Sequence, residues 1–289
     1  MMEFTIALAQ LLNGIALGML LFLLAAGLSL MFGLMGIVNL AHGSYFMIGG
    51  YVGMTVLEAT GDFRIAILAG GGSGAFLGFV TERFFMRHLY GLRHHEPILL
   101  TFALSLILSD LSLFLWTGIA RWVQPPPLLD FSINLIGTYY PAYRLAIILI
   151  GIIVFVGLYW FQEKTRWGAI VRAGVDDKEM ATGLGINIPR VFTSVFCLGA
   201  FIAGFGGFIG SPILGLHIGL DVEIIMLAMA VVIVGGIGSL SGCLTTCLLL
   251  GLADTFGKVL WQRYASLTIY IIVVIVLLVK PTGLFGKKS

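Results

Sequence analysis

This sequence is short of charge. Only 10% of its 289 residues are Asp, Glu, Lys or Arg, against 59% hydrophobic residues. A soluble domain of this length carries roughly a quarter charged residues, so the shortage excludes an ordinary water-soluble globule. Between Phe4 and Leu57 there is no charged residue at all. About 20 apolar residues span the hydrocarbon of a bilayer, so this run suffices for two crossings. The amino terminus lacks a basic lead and a small-residue cleavage site, which argues against a removed signal peptide. Cysteine is scarcer still, at three residues. Cys197, Cys243 and Cys247 all lie in apolar segments. Cys243 and Cys247 share a helix face with no His beside them, too few soft ligands for a metal site, so they read as small packing residues.

Other absences exclude activities. There is no G-x-x-x-x-G-K-[ST] loop to hold a nucleotide phosphate. No cluster of His, Asp and Glu and no nucleophile–base arrangement marks a membrane enzyme, so no catalytic residue is assigned. Basic residues are sparse and aromatic residues sit inside apolar runs, which excludes a nucleic-acid surface. A net charge of +2 says little about partners.

Glycine, by contrast, is plentiful, at 39 residues. Gly70-Gly71-Gly72-Ser73-Gly74, the stretch from Gly199 to Gly210 and Gly235-Gly236-Ile237-Gly238 fall in or beside apolar spans. Lipid tails give helices no hydrophobic reason to associate, so close backbone approach through small residues matters. The expected fold is all-α: a polytopic transmembrane helical bundle of eight to nine spans. The spans are 6–33, 36–57, 65–81, 97–120, 144–161, 191–216, 224–239, 241–258 and 265–279. The pieces within 224–258 are short, and a broken or re-entrant element there needs protein around its backbone.

Lys and Arg set the orientation. Segment 82–96 holds Arg83, Arg87 and Arg93; segment 162–190 holds Lys164, Arg166, Arg172, Lys178 and Arg190; the tail holds Lys280, Lys287 and Lys288. The intervening loops hold Arg64, Arg121, Arg144, Lys258 and Arg263. The richer set belongs in the cytoplasm, leaving the amino terminus outside and the carboxy terminus inside. The longest outer connection, Arg121 to Tyr143, carries Pro125-Pro126-Pro127 and several aromatics. It reads either as an interfacial anchor or as part of a docking face. His88, His94 and His95 belong to a solvated basic stretch.

Four places break the apolar pattern. Asp110 lies within a span, where an acid is a functional candidate by default; the other reading is a hydrogen-bonded knot with Ser105, Ser109 and Ser112. Asp254 and Lys258, four apart, read as a local ion pair. The stretch Gly33-Leu-Met-Gly-Ile-Val-Asn-Leu-Ala-His-Gly-Ser44 sets Asn39, His42, Gly43 and Ser44 at membrane depth. Such groups need partners or a wet cavity, so they either line a passage built from broken helices or form a turn that satisfies itself.

The fourth place, 162–190, is the longest polar stretch. Asp176 with Glu179 fits a capping box, and Asp176 and Asp177 suit a helix amino terminus. Gly174 would break a first helical piece from a second. Gly183, Gly185 and Pro189 would stop the second, with Ile170, Val171, Met180 and Leu184 as the apolar positions of the two pieces.

Two of these motifs carry a family resemblance. GLMGIVNLAHGSYFMIGGY (33–51) resembles the amino-terminal signature of permease subunits of branched-chain amino acid ABC importers, the smaller permease type of the leucine/isoleucine/valine systems. RAGVDDKEMATGLGINIPRV (172–191) resembles their cytoplasmic coupling segment. VVIVGGIGSLSG (231–242) and LLVKPTGLFGKK (277–288) fit the same family, so the resemblance covers nearly the whole chain. It implies that residues 1–289 form one transmembrane permease domain with a short cytoplasmic coupling helix. It implies a bacterial inner-membrane location, a homologous second permease, two ATPase subunits and a periplasmic substrate-binding protein. ATP would be bound by the ATPases, and this chain would hold no cofactor.

By the same resemblance, Arg172, Asp176, Glu179, Met180, Ala181, Leu184, Gly185 and Ile186 belong to the ATPase-coupling segment. Met180 stands where the broader pattern has a small residue. Asn39, His42, Gly43 and Ser44 match the amino-terminal signature and fall to the substrate pathway. Rival readings are an ABC permease for urea, amides or other small amino acids, and a stand-alone channel or ion-coupled carrier. Sparse intramembrane charge weighs against the ion-coupled form.

Overall fold

The computed structural model describes residues 2–89, 95–135, 138–260, 263 and 265–286. Eleven α-helices account for most of it: α1 (Met2–Met35), α2 (His42–Thr60), α3 (Phe63–Val80), α4 (His95–Trp116), α5 (Ala142–Lys164), α6 (Arg166–Asp176), α7 (Lys178–Gly183), α8 (Ile188–Leu214), α9 (Leu220–Gly235), α10 (Leu240–Leu260) and α11 (Ala265–Val279). Six stretches are long and apolar enough to cross a membrane: Ile6–Met35, Phe63–Leu89, Glu96–Trp116, Ala142–Lys164, Ile188–Leu214 and Leu240–Leu260. Helices α2, α9 and α11 are not among them. The fold is that of an all-α polytopic membrane protein, with one small exception. Within the expected outer connection, β1 (Ser132–Leu135) pairs antiparallel with β2 (Thr138–Pro141).

Helix ends follow local chemistry. Helix α1 stops at Gly36, whose φ of +66° suits a residue without a side chain, and the Gly36 N–H donates to the Phe32 carbonyl at 2.9 Å. Helix α2 stops the same way at Gly61. Asp62 then caps α3 by accepting the Arg64 N–H at 2.8 Å.

Helix α1 is the central post. It is mostly buried and packs against α5, α8, α9 and α10. Helices α2, α3 and α8 form a second tight group. Glycine sets the spacing of both: a Cβ on Gly49 would come within 2.3 Å of the Gly204 Cα, and one on Gly14 within 2.9 Å of the Leu252 Cα. The glycine-rich sequence thus does what helix association in lipid needs.

Three expectations change. The second span begins at His42 rather than residue 36, because Gly36 ends α1 and the chain runs irregularly to Ala41. The 224–258 region resolves into α9, which already begins at Leu220, and a full-length α10. The Asp110 knot does not form. Ser105 and Ser112 spend their hydroxyls on the Phe102 and Leu108 carbonyls of their own helix, leaving Asp110 exposed. The expected pair does form: Lys258 Nζ donates to Asp254 Oδ2 at 2.5 Å. Cys243 and Cys247 are buried. His88 is exposed. Arg93, His94, Lys287, Lys288 and the His95 side chain lie outside the described residues.

Candidate functional site

The first site grows from the break between α1 and α2. Asn39 turns the chain by accepting the Ala41 N–H on its own side-chain oxygen at 3.1 Å. Its amide reaches the Met31 sulfur at 3.7 Å. Thr101 of α4 holds the segment from outside, its hydroxyl accepting the Leu40 N–H at 3.2 Å. Irregular backbone at membrane depth is tolerated where protein surrounds it, and Asn39, Ala41 and Thr101 are all buried.

His42 shows how deep this point lies. Its Nε2 donates to the Leu24 carbonyl at 3.0 Å. A carbonyl only accepts, so the ring proton sits on Nε2, and Nδ1 has no hydrogen-bond partner among the described residues. Leu24 stands eleven residues before the end of α1, about 16 Å along the axis at 1.5 Å per residue. Helix α2 therefore begins well above the end of α1.

Beside His42, the amino terminus of α9 meets that of α2. Ser44 Oγ donates to Asp221 Oδ2 at 3.1 Å and lies 3.5 Å from the Ser105 carbonyl of α4. Ser105 falls near the middle of Glu96–Trp116, so the junction sits near mid-span. Gly43 makes the contact possible, since a Cβ there would fall 2.1 Å from the Asp221 carbonyl oxygen. Asp221 is only 3% exposed, and its Oδ1 has no hydrogen-bond partner among the described residues. Its carboxyl sits in the first turn of α9, where a helix favours negative charge.

The structure thus brings together Asn39, His42, Gly43 and Ser44, and adds Thr101 and Asp221. Sequence reasoning placed Asp221 in an outer loop. The available signal was an acid just after Gly219 and at the head of an apolar helix. Thr101 gives no signal at all.

Toward the end of α1 the same helices leave an apolar recess of about 160 Å³, lined by Leu28, Phe32, Val38, Met229, Val232, Ile233 and Ile237. An apolar protein cavity of about 150 Å³ accepts benzene, so an aliphatic side chain fits here. Every surface lining it is apolar.

The second site is the polar stretch. Thr165 caps α6 by accepting the Gly168 N–H at 3.0 Å. Helix α6 runs through Gly174 to Asp176, so Gly174 is not the break. The break is at Asp177, whose extended backbone (φ −151°, ψ 101°) starts α7. Asp177, not Asp176, is the cap, and its Oδ1 accepts the Met180 N–H at 2.9 Å. That puts Glu179 one position too early for the expected capping box. The Asp176 side chain lies outside the described residues.

The end of α7 is a Schellman closure. The Ile186 N–H donates to the Ala181 carbonyl at 3.1 Å and the Gly185 N–H to the Thr182 carbonyl at 2.9 Å. Gly185 takes the left-handed conformation this needs, with φ +84°, while Gly183 stays helical. Ala181 is 2% exposed and Ile186 packs against the core. Val171 and Gly174 of α6 are buried too, with Gly174 facing Ile188 of α8 and Leu34 of α1. Facing outward are Met180, 62% exposed, and Leu184, 74% exposed. Arg172 pairs at 3.8 Å with Glu163 on the exposed surface, where such pairs contribute about 0–1 kcal/mol.

A family model described as branched-chain amino acid transport system / permease component matches residues 10–278. The chain is 28% identical to the high-affinity branched-chain amino acid transport system permease protein BraD of Pseudomonas aeruginosa, over 98% of this chain and 96% of that protein. It is 29% identical to the permease protein LivH of Escherichia coli strain K12, over 99% and 98%. Its fold is similar to a chain of PsaBC from Streptococcus pneumoniae in complex with Fab, with a TM-score of 0.52 at 12% identity over 94% of this chain and 92% of that one. The match takes in the α1–α2 break, the α9 junction and the α6–α7 stretch alike, and the chain belongs to the family of permease components of branched-chain amino acid transport systems, non-catalytic multi-pass membrane subunits.

Proposed function

We propose that this chain and a homologous second permease form the transmembrane passage of a bacterial ABC importer for branched-chain amino acids. Two ATPase subunits bind the ATP, and a periplasmic protein delivers the substrate. The observation that carries this reading is the α6–α7 surface. Met180 and Leu184 project from a polar segment whose other side is anchored by Ala181 and Ile186. Exposed apolar side chains on a rigidly closed helix end suit a groove on a soluble partner. When ATP draws the ATPases together, force applied to α7 reaches α8 and α1 through these anchors.

In this reading Asn39, His42, Gly43, Ser44 and Asp221 form the closed part of the passage. The α2 and α9 amino termini part as the bundle rocks. The recess below them suits an aliphatic side chain better than the polar body of urea or a short amide. The six long stretches together with α2, α9 and α11 give nine crossings. The amino terminus is then periplasmic, and α6 and α7 lie in the cytoplasm with the carboxy terminus.

The test uses the complete complex in proteoliposomes with its binding protein. Met180→Glu and Leu184→Glu change exposed side chains, so membrane insertion and melting temperature stay as in the native complex. Leucine uptake and transport-stimulated ATP hydrolysis fall together by about tenfold or more, the equivalent of about 1.4 kcal/mol of lost docking. Unchanged uptake in both variants would remove the docking assignment. Full-rate leucine transport by this chain alone would remove the whole reading.

A further inference from the structure

Two of the long apolar helices, α4 and α5, are mostly uncovered, and they differ in one respect. The exposed face of α5 carries Leu149, Ile152, Ile153 and Val156, and residues 145–162 hold no charged side chain. That face suits lipid. The exposed face of α4 around Asp110 carries Leu106, Ile107, Leu113 and Phe114, one turn to either side of it. Asp110 lies six residues before Trp116, about 9 Å inside the helix end at 1.5 Å per residue. It makes no hydrogen bond or ion pair among the described residues. Ionisable groups within a span face protein or water rather than lipid. Water is a poor neighbour for the four large apolar side chains around it. Protein satisfies both.

We propose that the α4 face centred on Asp110 is the contact with the second permease subunit, which sets a hydrogen-bond donor against the carboxylate. This rests on the two-permease reading above. The occupant is a different chain rather than a second copy. A two-fold contact through this face would bring each Asp110 toward its own counterpart, and like charges in close contact at low dielectric are disfavoured. A homologous subunit with Ser, Asn or a basic residue at that level has no such conflict.

The test places a photo-crosslinking amino acid at Leu106 or Leu113 on α4, and at Ile153 on α5 as the comparison, in the complete complex in native membranes. Products are identified by mass spectrometry. The α4 positions should join a second, distinct permease about tenfold more often than Ile153 does, a margin equivalent to about 1.4 kcal/mol. A product with a second copy of this chain, or no protein product from α4, overturns the proposal. Asp110→Asn keeps a hydrogen-bonding group and should retain the partner on purification, whereas Asp110→Leu should lose most of it. Equal recovery from both variants overturns the role of the side chain. A purified complex with no second permease would sink the two-permease reading itself; a second permease that crosslinks only through α5 would sink the α4 assignment alone.

Discussion

Replacing Gly43 by alanine adds one methyl group at the point where α2 and α9 touch. The new carbon would lie 2.1 Å from the Asp221 carbonyl oxygen and 3.1 Å from the Ile225 Cβ. Ordinary contact begins near 3.4 Å, so the two helix ends must part by about 1.3 Å, because the atom met is backbone rather than the far end of a flexible side chain. Overpacking of this kind costs about 1–3 kcal/mol. The 3.1 Å bond from Ser44 to Asp221 would stretch beyond hydrogen-bond range if the helices part along it. That removes a further contribution of about 1–3 kcal/mol. A net loss of about 3 kcal/mol shifts the balance between closed and parted junctions by about a hundredfold.

The assay pairs leucine uptake by the complete complex in proteoliposomes with a thermal melt. Gly43→Ala should lower the melting temperature and reduce ATP-driven uptake at least about tenfold, consistent with the stated shift. Gly72→Ala is the control: it lies within α3 and has nothing within 4 Å of its added carbon. Alanine there should be neutral, or stabilising by up to about 1 kcal/mol through helix propensity. Native uptake and melting in Gly43→Ala would refute the idea that this contact holds the junction shut.

Two further outcomes follow from local chemistry. Asp62→Ala removes the cap of α3 at an exposed helix start; a melt should show a loss of about 1 kcal/mol, and Asp62→Asn should recover most of it. Lys258→Met leaves the largely buried Asp254 carboxylate without its cation. Stability should fall by about 1–3 kcal/mol, below the 3–5 kcal/mol of a fully buried pair because Lys258 is mostly exposed. Adding Asp254→Leu to Lys258→Met should restore stability if the penalty is the stranded charge, and a further loss would contradict that account.

Much of the candidate site was legible because its residues break a strong local pattern. Asn39, His42 and Ser44 stand out in a charge-free run, and M-A-T-G-L-G-I carries a helix stop in the order of its residues. The exact cap was not legible. Asp176 and Asp177 are adjacent and chemically identical, and the choice between them was made by α6 running on to Asp176. Asp221 escaped because its place just after Gly219 at the head of an apolar helix marks a helix start but not the distant helix that buries it. Its partner Ser44 lies 177 positions away.

Composition, charge spacing and glycine content by themselves determined that this chain is a membrane helical bundle with its longest polar stretch between α5 and α8. Those properties are local, because solvation by lipid acts on each segment separately. Which helix became the central post, which helix ends met at mid-span, and which acid was sealed while another was left bare were decided only by the tertiary packing. Segments of similar hydropathy compete equally for the interior, and the choice among them is made by close backbone fit between residues far apart in the chain.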